Sequence, residues 1–414
     1  MKRRRVVVSG MGTVNAAGCG SVDFTQALRQ GRSGIGPVSL FDTALYRTHL
    51  GGEVRDFRPK ELLPRGIPRR HMSRCDLMAM VAAFEALGDA GLNPLPQALQ
   101  KAMGVVIGGG AGGMLECEEV YRRWLEGKAR PSFAPFASFG CAATADHLAA
   151  SLGLMGPKTT FMTACSSGAT AIGYACDLIR DGIAEVMLAG GAEPLCRITY
   201  SAFNALQAVD AAPCRPFDRN RQGLNLGEGA AILVLEEASH ALRRGAVIYG
   251  EVLGGGVSCD AHHMTAPDPE GGGAILAMSR ALADGGVAPH QVDYINAHGT
   301  ATPTNDPIET KAIKTLFGPH AVRLAVSSTK AVTGHTLGAA GAIEAVVSLL
   351  AIHHRFIPPT LRHEEPDPQC DLDYVCEGAR DREVDIVLSN SFAFGGNNTA
   401  LLFGRYREGG HRDV

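Results

Sequence analysis

Cys165 stands in the stretch Thr163-Ala164-Cys165-Ser166-Ser167-Gly168, with small residues on both sides of the sulfur and an amphipathic run directly after it. Ile172, Ala175 and Ile179 recur at helical spacing, and Asp181-Gly182 closes the run. A thiol at the start of such a helix is expected to exist partly as thiolate, its nucleophilic form, because a helix N-terminus favours negative charge. Alone this is a weak signal, since the chain holds 11 cysteines and most cysteines are small buried apolar residues. Four later stretches add to it: Asn296-Ala297-His298-Gly299-Thr300, Ser327-Ser328-Thr329-Lys330, Thr333-Gly334-His335 and Asn390-Ser391-Phe392-Ala393-Phe394-Gly395-Gly396-Asn397-Asn398. His298 and His335 sit in glycine-flanked loops after strand-like segments. The apolar or small residues before Lys330 point that lysine inward, and an inward lysine needs a carboxylate partner.

The elements that must position these groups alternate, short apolar runs with longer helical ones, which predicts α/β layers. Strands are expected at Arg4 to Ser9, Met103 to Ile107, Glu185 to Ala189, Ala231 to Glu236, Val247 to Leu253 and Val292 to Asn296. Helices are expected at Met78 to Asp89, Gly272 to Asp284 and Ala342 to His354. Ser9-Gly10-Met11-Gly12 reads as a glycine turn ending the first strand. A second start near Ala246 divides the chain into residues 1–245, with the cysteine, and 246–414, with the histidines and the lysine. Identity between the halves is too low to reveal a duplication.

At 414 residues the chain is long enough for two core-sized units. Apolar residues at 45%, charged residues at 20% and a net charge of −3 describe an ordinary globular protein and give no reason to expect nucleic-acid binding. Lys2-Arg3-Arg4-Arg5 is followed by too short an apolar run for a signal peptide. No stretch reads as approaching the roughly 18 apolar residues of a membrane span. Scattered, odd-numbered cysteines without metal-type spacing predict a reduced, cytoplasmic protein and no metal.

The order of motifs (cysteine, His-Gly-Thr, lysine, Gly-His, Phe-Gly-Gly) resembles the β-ketoacyl-acyl-carrier-protein synthases, in particular the elongating type II group of the thiolase-like superfamily. The resemblance runs from about Val6 to about Phe403. It implies two pseudo-duplicated βαβαβαββ halves in a five-layer αβαβα arrangement with the site at their junction. It implies a decarboxylating Claisen condensation: Cys165 holds the acyl group, and His298 and His335 stabilise the enolate formed when a malonyl thioester loses CO2. Lys330, with Glu309 or Glu344 as partner and Asp306 beside the first, would support and orient the histidines. Phe394 would gate the cysteine and share an oxyanion hole with it, with Thr300, Thr302, Phe203, Ala393 and Gly395 around the substrate. No cofactor is implied beyond the phosphopantetheine that the acyl-carrier protein brings. The family works as a dimer, so a homodimer, or a heterodimer with a related chain-length subunit, is expected.

Three departures from the family pattern stand out. Ala393 replaces a glycine, so its Cβ is expected to narrow the gate's backbone freedom. Asn397 stands where threonine is commoner. Ala111 replaces a bulky aliphatic residue that closes the acyl tunnel, which predicts room for a longer or stiffer chain. The basic stretch Arg65, Arg69, Arg70 and Arg74, with Lys60, resembles the carrier-docking segment. A thiolase would need a second cysteine where Phe394 stands, and none follows Cys376. A non-catalytic scaffold subunit would have lost Cys165.

Overall fold

The computed structural model describes residues 3–128 and 132–409; Lys2, in the basic start, lies outside them. Ten strands form the main path of the sheet: β1 Val6–Asn15, β2 Gly104–Gly108, β3 Lys158–Phe161, β4 Val186–Glu193, β5 Gly229–Glu237, β6 Gly250–Cys259, β7 Tyr294–Asn296, β8 Ala325–Ser327, β9 Ile386–Ala393 and β10 Asn397–Gly404. They lie in the order β8-β7-β9-β10-β6-β1-β5-β4-β2-β3. Outward from the centre each half therefore repeats one order, first-fifth-fourth-second-third. The halves meet where β1 and β6 pair antiparallel at Val7–Glu251 and Val8–Gly250. This is the duplicated α/β architecture expected.

Six helices complete the layers: α1 Arg74–Asp89, α2 Ala143–Leu152, α3 Ser167–Arg180, α4 Gly272–Gly285, α5 Asn305–Phe317 and α6 Ala340–His354. α3 and α6 pack on each other between the two half-sheets, whereas α1 and α2 cover one outer face and α4 and α5 the other. The middle layer is the largest apolar core, built on Ile172, Ile179, Ile343, Val346 and Leu350 among others. The segment Leu337–His354, 18 residues of mean hydropathy 1.5, corrects the reading that no stretch nears the length of a membrane span. It is 83% buried inside the fold; a helix covered on all sides by protein is apolar all round for that reason.

The strand boundaries differ from expectation at the glycines. Gly10 and Gly12 do not end β1; they lie inside it, and a Cβ there would stand 2.3 and 2.1 Å from the carbonyls of Ala86 and Ala82 on α1. Gly254 and Gly256 repeat this on β6, at 2.3 and 2.1 Å from the carbonyls of Ala281 and Ala277 on α4. Glycine is needed at these four sites for close backbone approach, not for a turn. α1 begins earlier than its apolar pattern, at a capping box in which Ser73 and Asp76 bond each other's backbone N–H.

Candidate active site

Cys165 lies in a single 3₁₀ turn, Ala164–Ser166, between β3 and α3. Ala164 sits at φ 51°, a conformation costly for a residue with a Cβ. Hydroxyls hold the bend: Ser167 Oγ donates to Ala164 O (2.6 Å) and accepts from Thr163 N (2.9 Å), and Ser166 Oγ donates to Thr163 O (2.8 Å). The sulfur is turned into the junction of the halves, and the residue is 5% exposed. Burial pushes the thiol up to about 12 against the opposing charge of Lys330. The expected resting thiolate is thus corrected: at neutral pH the sulfur keeps its proton.

His335 Nε2 lies 3.1 Å from Cys165 Sγ. The loop carrying it is fixed by His335 N donating to Asn225 O at 2.7 Å. His298 stands edge-on to His335, with ring centroids 5.3 Å apart at 82°. Burial, and after it the charge of Lys330, holds both imidazoles well below the ordinary histidine range, so both are neutral near pH 7. The loop of His298 is pinned by two carboxylates from the first turns of α5. Glu309 accepts from His298 N (2.9 Å) and Gly299 N (2.8 Å), and Asp306 accepts from Ala301 N (3.1 Å) and Phe217 N (2.7 Å).

Lys330 opens the short helix Lys330–Thr333 and is buried. Its Nζ donates to Glu344 of α6 and reaches His298 Nδ1 at 3.4 Å. Of the two partners expected for the lysine, Glu344 is the one bonded, and Glu309 is occupied by backbone. Burial raises Glu344 to about 7 even with the lysine beside it.

Phe394 stacks on Phe203 of the helix Arg197–Ala205, with centroids 5.5 Å apart and planes at 11°. Its backbone N–H faces the Cys165 sulfur, where it favours the thiolate against burial. Ala393 has φ −129° and ψ 157°, extended backbone open to any residue, so its Cβ strains nothing in this arrangement. A cleft of about 330 Å³ joins Cys165, His298, His335, Phe203 and Phe394. Thr300 and Thr302, their hydroxyls 2.9 Å apart, and Ala393 also line it. Gly395 is the exposed tip of the last loop, its N–H on Met264 O at 2.8 Å. Ala111 is set apart, 7% exposed and off the cleft wall.

Sequence reasoning missed Glu193 at the end of β4. It is 1% exposed, and its carboxylate accepts from Gly110 N (2.9 Å), Ala111 N (2.7 Å) and Gly338 N (3.0 Å). It thereby ties the turn carrying Ala111 to the loop that follows His335. Burial lifts it to about 7 against those three donors. An acid directly after Gly190-Gly191-Ala192 was the available signal.

The basic stretch divides. Lys60, Arg65 and Arg70 are exposed. Arg69 folds back to donate to Leu63 O (3.2 Å) and Pro64 O (3.0 Å). Arg74 is corrected as a docking residue: its guanidinium turns inward to Glu228, 2.7 Å away, which is fully buried. Among the described residues no group of His, Cys, Asp and Glu is arranged to hold a metal ion.

The chain is similar to known proteins along nearly its whole length. The chain is 44% identical over 418 residues to "3-oxoacyl-[acyl-carrier-protein] synthase 2" of Coxiella burnetii (strain RSA 493 / Nine Mile phase I), covering 98% of this chain and 99% of that protein. Among solved structures it superposes on "The ishigamide ketosynthase/chain length factor" with TM-score 0.92 and 38% identity, covering 98% of this chain and 100% of the other. It also superposes on a chain of "type II PKS acyl-carrier protein in complex with its ketosynthase bound to the hexaketide", with TM-score 0.89, 31% identity and the same coverage. Sequence models of the β-ketoacyl synthase N-terminal domain and C-terminal domain match residues 3–241 and 249–364, and with the cysteine, the two histidines and the lysine gathered at the seam of a duplicated α/β fold, the chain belongs to the β-ketoacyl synthase family.

Proposed function

We propose that this site elongates an acyl chain by a decarboxylating Claisen condensation between an acyl group on Cys165 and malonyl-acyl-carrier protein, giving a β-ketoacyl-carrier product and CO2. The carrying observation is the 3.1 Å contact of His335 Nε2 with the Cys165 sulfur, with His298 edge-on beside it. In loading, the protonated thiol gives its proton to neutral His335 as sulfur attacks the incoming thioester, and the proton leaves with the departing carrier thiol. In condensation, the malonyl C–C bond breaks, and its electrons pass through an enolate to the new C–C bond at the acyl carbonyl, expelling the Cys165 sulfur.

The histidines fit these steps differently. An ammonium has donors only, so Lys330 makes His298 Nδ1 the acceptor and leaves the proton on Nε2, where it can be donated to the enolate oxygen. Among the described residues His335 Nδ1 has no hydrogen-bond partner, so its tautomer is free to change between accepting from the thiol and donating to the enolate. The N–H of Phe394, aimed at the sulfur, is placed to join that of Cys165 at the acyl oxyanion.

The reaction needs no metal or redox group; the phosphopantetheine belongs to the carrier substrate. Exposed Lys60, Arg65 and Arg70 supply positive charge for an acidic carrier. Dimer formation, with itself or with a related subunit, and a cytoplasmic setting belong to the same reading. A purely scaffolding role is disfavoured by the intact Cys165, His298 and His335. The test is intact mass after incubation with acyl-carrier proteins of several lengths, each followed by malonyl-carrier protein. A Cys165-dependent acyl adduct that disappears as β-ketoacyl product forms is expected. A folded protein that takes no adduct, alone or with a related subunit, would overturn the proposal.

A further inference from the structure

Cys165 is 5% exposed, so a part of the cleft wall must move before a carrier's arm reaches the sulfur. The loop Phe394–Gly396 is a part of that wall able to move. Gly395 and Gly396 have φ 79° and 72°, and Gly395 is exposed. Among the described residues four nitrogen-to-oxygen hydrogen bonds outside the strands hold this loop and its flank, and the Cys259 thiol lies 3.9 Å from Gly395 O. Gly395 N donates to Met264 O (2.8 Å), Asp260 N to Gly396 O (3.0 Å) and Asn398 Nδ2 to Asp260 Oδ1 (2.6 Å). The fourth is internal: Asn397 Nδ2 donates to Phe394 O at 3.2 Å.

The fourth bond differs from the others in closing the loop on itself. Met264 O and the Asn397 amide hold the two ends of one peptide, Gly395 N–H and Phe394 C=O, and only Asn397 does so from within the loop. Together they fix the peptide that leaves Phe394, whose ring stacks on Phe203 and whose N–H faces the sulfur. We propose that Asn397 is a positioning residue that latches Phe394 closed, so that it slows loading of Cys165 and favours condensation once the acyl group is in place. This rests on the loading and condensation steps proposed above. The latch works because an amide nitrogen can donate to a carbonyl; a carboxylate of the same shape cannot.

The test measures two single-turnover rates by intact mass: loading of Cys165 from acyl-carrier protein, and discharge of preformed acyl-enzyme by malonyl-carrier protein. Asn397→Asp keeps the shape and loses the donor, and Asn397→Ala removes the group. Loss of one neutral hydrogen bond predicts loading faster by about fivefold and discharge slower by a similar factor in both variants. Alkylation of Cys165 by iodoacetamide, which needs no carrier, is expected to accelerate about as much as loading. Rates that stay at the wild-type value, or two rates that fall together, overturn the latch. If wild-type protein is alkylated but neither loads nor condenses, the proposed reaction fails; faster alkylation of Asn397→Asp would still uphold the latch.

Discussion

Lys330 Nζ stands 3.4 Å from His298 Nδ1, and this contact decides which nitrogen of the imidazole faces the substrate with a proton. Replacing the lysine by methionine removes the donor and the positive charge together. Condensation by Lys330→Met is expected to fall about 100-fold, with loading of Cys165 reduced far less. Because the Lys330 charge depresses His298, its loss lets the imidazole titrate nearer the ordinary range, and the acid limb of the condensation profile moves to higher pH. Single-turnover rates between about pH 5.5 and 8 check both points; equal losses in the two steps would sink the assignment.

Glu193 gives the fold a pH dependence whose sign follows from its raised value. The buried carboxyl titrates at about 7, against 4.5 for the free group, so the fold favours the protonated form. Its contribution is full below pH 4.5, is lost as pH rises through about 7, and amounts to about 3 kcal/mol at most. Asp306 and Glu344, raised to about 6 and 7, titrate in the same window. Glu193→Gln is therefore expected to shrink, not abolish, the change in unfolding free energy between about pH 5 and 8. Denaturant unfolding at the two pH values reads this, and a change equal to that of the wild type would count against it.

Arg74 and Arg70, four residues apart, are expected to part company on substitution. Arg74→Ala leaves Glu228 buried without its cation and should destabilise by about 3 kcal/mol. Arg70→Ala should leave the melting temperature unchanged. In the proposed function it should raise KM for acyl-carrier protein, with the difference shrinking as salt screens the encounter. Thermal unfolding and kinetics at two ionic strengths separate the two.

Ala111, off the wall of the cleft at Cys165, tests whether the acyl chain runs on past the turn that carries it. Its N–H is held by Glu193, so the turn cannot move aside freely, and a larger side chain must fill space. Ala111→Ile is expected to shorten the product distribution by several carbons with little change in the rate on short acyl groups. An unaltered distribution would show that the acyl chain runs elsewhere.

Much of the site was legible because loop motifs place chemistry beside glycines that a fold needs for other reasons. Cys165, His298, Lys330 and His335 come from segments up to 170 residues apart, yet the order of their short motifs along the chain named all four through a family resemblance. The state of the sulfur was not legible. A helix start favours thiolate, but the opposing burial comes from both halves of the chain, and no local window contains it. Arg74 failed similarly: four arginines in a short stretch look alike until Glu228, far along the chain, claims one. Glu193 gave only a single acid after small residues, and its meaning lies in three backbone donors brought by two loops. Strand limits failed at Gly10 and Gly254, where glycine usually means a turn; the partner that requires it is a helix tens of residues away.

Those glycines have a consequence for how the two halves have diverged. Where Gly12 meets Ala82 and Gly256 meets Ala277, main chain rests on main chain, with no side chain between to change thickness. The spacing of helix and sheet is set there by covalent geometry that every sequence shares. Substitution elsewhere can erase the likeness between the halves, as it has, without altering the gauge of either. The seam that holds a thiol from one half against an imidazole from the other keeps its tolerance because the frames on both sides were cut to one measure.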